Sequence, residues 1–332
     1  MVSYLTEELV RMGHEVTLFA SGDSETSADL VPCCNEALRL DGNCVDPLAH
    51  HILMLERVVQ EAHGFDVIHF HCDYLHFPLS ARLTTPSVTT LHGRLDLPDL
   101  VPLFREFADS PVISISDAQR APLPWLNWKA TVHHGLPDDL YRFSPGPGKY
   151  LAFLGRISPE KGVDKAIEIA DKSGMELRIS AKVDRVDREY FTEVIEPLLK
   201  HPHVHFVGES SDAEKAKFLG DAAVLLAPIN WEEPFGLVMI EAMSCGTPVV
   251  AFRRGSIPEV VNEGESGFMV EDVDGAVKAV EKAINLNRRK CRQVFERRFT
   301  ATRMACDYLK AFGWLHNGKA EESADPEKMT LG

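Results

Sequence analysis

The chain has 332 residues, 45% hydrophobic and 26% charged, with 35 Lys+Arg against 50 Asp+Glu and a net charge of −15. That length allows two domains with substantial cores, so no disulfide or metal staple is required. The acidity argues against DNA, RNA or an anionic membrane surface as a partner.

Val2, Leu5, Leu9 and Met12 recur at helical spacing and predict an amphipathic first helix, ended by Gly13-His14. Glu15–Ala20 reads as a buried strand, and Cys33, Cys34 and Cys44 fall in what reads as a loop. Leu53–Ala62 predicts a helix; Asp66–Phe70, Ser87–Leu91 and Val112–Ser116 read as short apolar strands. Ser144-Pro145-Gly146-Pro147-Gly148 breaks the pattern and marks a domain boundary after Pro147. Beyond it, Leu151–Gly155, Leu177–Ala181, Val204–Val207, Val224–Ala227 and Pro248–Ala251 read as strands. Val163–Ser173, Leu237–Ser244, Asp274–Ile284 and Thr302–Phe312 read as helices. The polar, charged run 317–332 reads as a disordered tail.

Regular strand–helix alternation predicts an α/β protein with parallel sheets and helices on both faces. The expected organisation is a doubly wound domain over 1–147, a second over 148–300, a helix over 301–316 crossing back to the first domain, and the tail. Ligands in such folds lie beyond the carboxyl ends of the strands, here expected in a cleft between the domains. A doubly wound domain begins with a strand in the middle of its sheet. This chain begins in a helix, so the expectation is a chain lacking that strand and the loop after it.

No stretch approaches the roughly 18–20 apolar residues of a membrane span, and no signal peptide is visible. Seven cysteines without a CxxC fit neither a disulfide framework nor a zinc ribbon. The expectation is a cytoplasmic protein with free thiols and no integral membrane association.

Two post-strand segments carry the chemistry. Trp231–Ala251 (WEEPFGLVMIEAMSCGTPVVA) enters a helix after a strand, with Glu233 before the helix and Glu241 inside it. A helix starting near Phe235 would leave the N–H groups of Phe235, Gly236 and Leu237 free to bind phosphate. Two flanking carboxylates then suit a nucleotide-sugar, one Glu for ribose hydroxyls and the other for sugar hydroxyls. The alternative is a capping or surface Glu233 and a solvated Glu241. In Gly155-Arg156-Ile157-Ser158-Pro159-Glu160-Lys161-Gly162, Arg156 and Lys161 are placed to neutralise a leaving diphosphate. The alternative is a polar loop with two solvated cations.

The order of these motifs resembles the family 4 glycosyltransferases of the GT-B fold, two Rossmann-like domains facing across an interdomain cleft. GRISPEKG is similar to that family's diphosphate loop, and Glu233-Pro-Phe-Gly-Leu-Val-Met-Ile-Glu241 to its E-x7-E motif. Gly255-Ser256-Ile257-Pro258-Glu259 resembles its GGIPE-type loop, with Ser at the second glycine. Thr90-Leu91-His92-Gly93, Ser116-Asp117 and His134-Gly135-Leu136-Pro137 also fit. The resemblance implies a retaining hexosyl transfer from a nucleotide diphosphate-sugar, UDP-glucose as first choice, to a hydroxyl of a small or neutral soluble acceptor. It implies that Gly155, Arg156 and Lys161 hold the diphosphate and that Glu241 binds the ribose. Glu233, with the backbone of Phe235, Gly236 and Leu237, would hold the donor sugar and phosphates. His92 would face the sugar near the reacting carbon. No metal or other cofactor is implied, and the leaving phosphate itself would assist the acceptor hydroxyl. The family's Gly-rich loop after the first strand has no counterpart here.

Two other readings stand beside this one. One is a nucleotide-sugar-binding remnant, catalytically impaired by the missing strand. The other is a metallohydrolase built on His69, His71 and Asp73, whose His-x-His-x-Asp spacing resembles part of a metal motif.

Overall fold

This computed structural model describes residues 1–322. It divides the chain into two compact units. Unit 1 comprises 1–115, 120–133 and the described residues from Ala301 onward; unit 2 comprises 116–119 and 134–300. The tail expected over 317–332 differs in its first part, because the last helix runs Ala301–Glu322; the remainder lies outside the described residues.

Unit 1 is built on parallel strands. β1 (Thr17–Ser21) pairs with β2 (Asp29–Cys34). Separately, β3 (Ile68–Phe70), β4 (Ser87–Thr90), β5 (Val112–Ser114) and β6 (Trp128–Thr131) form a sheet in that order. Side chains alternate across this sheet with period two. Ile113 joins Val88 and Val132 under the helices Val2–Arg11 and Ala301–Glu322, beside Leu5, Met304, Tyr308 and Phe312. Val112 packs the other way, with Phe77, Leu91, Phe104 and Leu123. The helix Pro47–Glu61 is capped by Asp46, whose carboxylate accepts from Leu48 N–H. Its Leu55 and Val58 pack on Ile68 and Phe70 of β3, and Phe19 of β1 packs against the same cluster. β1 and β3 thus share one helix, yet no described residue pairs between them. Cys33 and Cys34 lie in β2, which corrects their reading as a loop.

Unit 2 holds a six-stranded sheet in the order β12-β11-β10-β7-β8-β9, with every pair parallel. The strands are β7 (Tyr150–Arg156), β8 (Leu177–Lys182), β9 (Val204–Gly208), β10 (Ala222–Ala227), β11 (Val249–Phe252) and β12 (Gly267–Val270). The winding reverses between β7 and β10. This is the topological switch point at which doubly wound sheets bind ligands. β10 and β11 are buried along their whole length, as near-continuous apolar runs of a covered parallel sheet should be.

The expected boundary lies after Pro147; by contacts the segment from His134 onward groups with unit 2, where the buried Arg292 and half-buried Arg288 hold 138–144. Arg292 donates to the carbonyls of Asp138, Tyr141 and Ser244. Arg288 donates to the carbonyls of Ser144, Ala222 and Gly220 and to Thr247 Oγ1, each at 2.7–2.8 Å. One guanidinium therefore ties the connecting segment to β10 and to the helix Asp212–Gly220. Arg288→Ala strands those acceptors and should cost about 3 kcal/mol of unfolding free energy in urea denaturation. A loss under about 1 kcal/mol would show that the carbonyls find other partners.

Candidate functional site

The loops after β7 and β10 meet backbone to backbone. Gly162 has φ +72°, and a β-carbon there would lie 2.2 Å from the Pro228 carbonyl oxygen. Asn230 N–H donates to the Glu160 carbonyl at 2.8 Å. Only glycine allows both the left-handed backbone and this approach. The contact brings Lys161 and Glu233 together, with Lys161 Nζ 2.5 Å from Glu233 Oε2. Glu233 is 8% exposed, so it is neither a surface residue nor a solvated cap.

Arg156, at the end of β7, is exposed but paired with carboxylates. Its guanidinium lies 2.7 Å from Glu160, 3.4 Å from Asp187 and 3.8 Å from Asp184. Neither Asp was singled out from sequence. They sit just beyond β8, which pairs with β7 along its length and so places them beside Arg156.

The helix carrying Glu241 begins at Leu237, not Phe235, with Gly236 as its left-handed N-cap at φ +80°. Phe235 lies outside the helix because its ring is buried edge-on against His134 and Phe299. Four residues into the helix, Glu241 is about 6 Å along its axis, nearer than a start at Phe235 implies. Its carboxyl is pushed above the ordinary value by burial, partly offset by Lys215 and by a 3.3 Å hydrogen bond from Tyr141 Oη. The solvated reading of Glu241 therefore fails. Tyr141, a hundred positions away, gave no sequence signal.

Gly255 has φ +52°, and a β-carbon there would lie 2.4 Å from Glu233 N and O. Ser256, at the second glycine position, has φ −75°, which any residue adopts. The GSIPE loop therefore needs its first glycine and not its second. Glu259 of that loop accepts from Asp117 and Ala118 N–H at 2.8 and 2.7 Å, which fixes 116–119 within unit 2.

His92 belongs to unit 1, just after β4. Its Nε2 is 2.9 Å from His71 Nδ1. Burial, assisted by the Met1 α-ammonium, lowers its pKa to about 4, so the imidazole is neutral near neutral pH. His69 Nε2 is 2.7 Å from Thr90 Oγ1, and burial lowers its pKa to about 3. Thr90 and His92 thus engage a ring nitrogen of His69 and of His71. Among the described residues no group of three or more His, Cys, Asp or Glu is arranged to hold a metal ion. The His69/His71/Asp73 metal reading therefore has no site.

Two family models match the chain: "Glycosyltransferase Family 4" over residues 1–152 and "Glycosyl transferases group 1" over residues 142–298. An uncharacterized glycosyltransferase of Methanocaldococcus jannaschii is 26% identical over 226 residues, 64% of this chain and 62% of the relative. The chain thus spans less than two thirds of that relative's length. A phosphatidyl-myo-inositol mannosyltransferase of Mycolicibacterium smegmatis is 28% identical over 313 residues, 84% of this chain and 78% of the relative. Among solved structures, HepE of Anabaena in complex with UDP and glucose superposes with a TM-score of 0.73 at 20% identity, covering 93% of this chain and 94% of that one. That likeness is one of fold.

Because burial raises the Glu241 carboxyl above its ordinary value, the folded chain keeps a proton that the unfolded chain releases. Its stability contribution is present below the ordinary carboxylate range and is lost as pH rises through the raised value. Glu241→Gln removes this dependence. The variant should melt higher than the parent at about pH 7, and the gap should close near pH 4. Thermal melts across that range decide it; an equal gap at both ends would contradict a burial-strained carboxylate.

Proposed function

The chain belongs to the family 4 glycosyltransferases, and from that premise we propose that it transfers a hexosyl group from a nucleotide diphosphate-sugar to an acceptor hydroxyl. The observation that supports this most directly is the meeting of Lys161, Glu233 and the head of the helix Leu237–Ser244 at the switch point of the unit 2 sheet. A diphosphate is the ligand that suits a cation beside free helix amides. Glu233 suits sugar hydroxyls, and Glu241, braced by Tyr141, suits the ribose diol. Gly155 lies in β7 one residue before its end, at the entry to the diphosphate loop.

In this reading the diphosphate leaves with the anomeric bonding electrons, and its charge is met by Lys161, Arg156 and the amides of Gly236 and Leu237. Both cations must be drawn from carboxylates, Lys161 from Glu233 and Arg156 from Glu160, Asp184 and Asp187. The acceptor hydroxyl attacks from the side of the leaving group and gives its proton to a phosphate oxygen, so configuration is retained. No metal is assigned a step. UDP-glucose is the first donor to test, in keeping with the UDP and glucose named for HepE. His92, in unit 1, has a neutral imidazole that offers a hydrogen bond without a charge. Residues 1–147 carry 20 acidic and 9 basic residues, which favours a small or neutral acceptor. Among the described residues no helix is long and apolar enough to cross a membrane.

Incubation with UDP-, GDP- and ADP-hexoses, with and without sugar and polyol acceptors, should release nucleoside diphosphate, and NMR of the product should show the donor's anomeric configuration. Lys161→Ala should lower kcat/KM about a hundredfold. Protection against heat without diphosphate release would leave a binding protein in place of an enzyme. Neither protection nor release with any donor would end the proposal.

A further inference from the structure

Glu233 Oε2 accepts two hydrogen bonds, 2.5 Å from Lys161 Nζ and 2.9 Å from Trp231 Nε1. The same ammonium lies 5.4 Å from the Trp231 ring centroid, within cation–π range. Oε1 is left without a protein donor among the described residues. The backbone around this carboxylate is fixed from both sides. Glu233 N–H donates to the Trp231 carbonyl and Ser256 N–H to the Glu233 carbonyl, each at 2.9 Å. Gly255 N–H donates to Glu232 Oε2 at 2.7 Å.

The two donors on Oε2 differ in how easily they leave. Lys161 is a point charge on a flexible stem, and a diphosphate outbids a singly charged carboxylate for it. Trp231 is a rigid indole two residues away on a clamped turn. When the ammonium moves to phosphate, the indole N–H is what still fixes the carboxylate. Glu233 is then less neutralised, and its open oxygen becomes a stronger acceptor for a sugar hydroxyl.

We infer that Trp231 is the positioning residue that holds Glu233 in place while Lys161 transfers from the carboxylate to the donor diphosphate. The inference rests on the nucleotide-sugar reading above. Trp231→Phe tests it, because it keeps an aromatic face for Lys161, removes the N–H and alters a partly exposed site. UDP is titrated into both proteins, with tryptophan emission and melting temperature read together. Wild-type emission should change saturably as Lys161 leaves the indole, and the variant should lose most of that change while still gaining heat stability. With a nucleotide-sugar that turns over, the variant's kcat should fall about tenfold or more, while donor KM stays within about threefold. A purely structural tryptophan would lower the melting temperature without separating kcat from KM. If UDP protects both proteins and the variant keeps the full emission change or wild-type kcat, the inference fails and the donor reading stands. If UDP, GDP and ADP all fail to protect the wild type, the donor reading fails and this one with it.

Discussion

The candidate site of unit 2 depends on one close approach, that of the Gly162 backbone to the Pro228 carbonyl. β7 and β10 are neighbours, so the loops leaving their carboxyl ends start about 5 Å apart. Glycine lets them close until main chain touches main chain. That contact sets the distance between Lys161 and Glu233, which are seventy-two positions apart in sequence. A second glycine, Gly255, lets a third loop close onto the Glu233 backbone in the same way. The site is thus a junction of three loops whose spacing is fixed by missing side chains.

The electrostatics follow from that junction. On the proposed reading, an acidic chain of net charge −15 would receive an anionic ligand with cations already engaged by carboxylates. The half-exposed pairs around Arg156 are screened and contribute little to stability. The Lys161–Glu233 pair is less exposed, and losing either partner would leave a charge without its counterion. A diphosphate bound as proposed would therefore exchange partners with these carboxylates. Glu241 works the opposite way. It has no cation within hydrogen-bonding distance among the described contacts, and burial raises its pKa.

Strands buried on both faces were readable from sequence, and so were the less buried β1 and β9. β7, β10 and β11 are covered by helices, so they need continuous apolar runs, and those runs were legible. β2, β6 and β12 went unread; each lies at the edge of its ladder with mostly half-exposed residues and no long apolar run. β2 also contains Pro32, which an edge strand tolerates. The helix start slipped from Phe235 to Leu237 because a Phe-Gly pair before an apolar helix does not reveal which way the ring turns. The burial of Phe235 between His134 and Phe299 settles it. Likewise, a Pro/Gly run looked like the boundary, although Arg288 and Arg292 hold the segment before it within unit 2.

The sequence by itself determined the chemistry available: two carboxylates eight positions apart, a cation-bearing loop after a strand, and the glycines that let loops close. These are local in the chain, and residue type and spacing suffice to specify them. The tertiary structure alone decided the partners. Tyr141 braces Glu241, Trp231 shares Glu233 with Lys161, and Asp184 and Asp187 hold Arg156. Apart from the short step from Trp231 to Glu233, these pairings join elements distant in sequence. They exist because parallel strands gather their carboxyl-end loops on one edge of a sheet, and strand order, not chain order, chooses which loops meet.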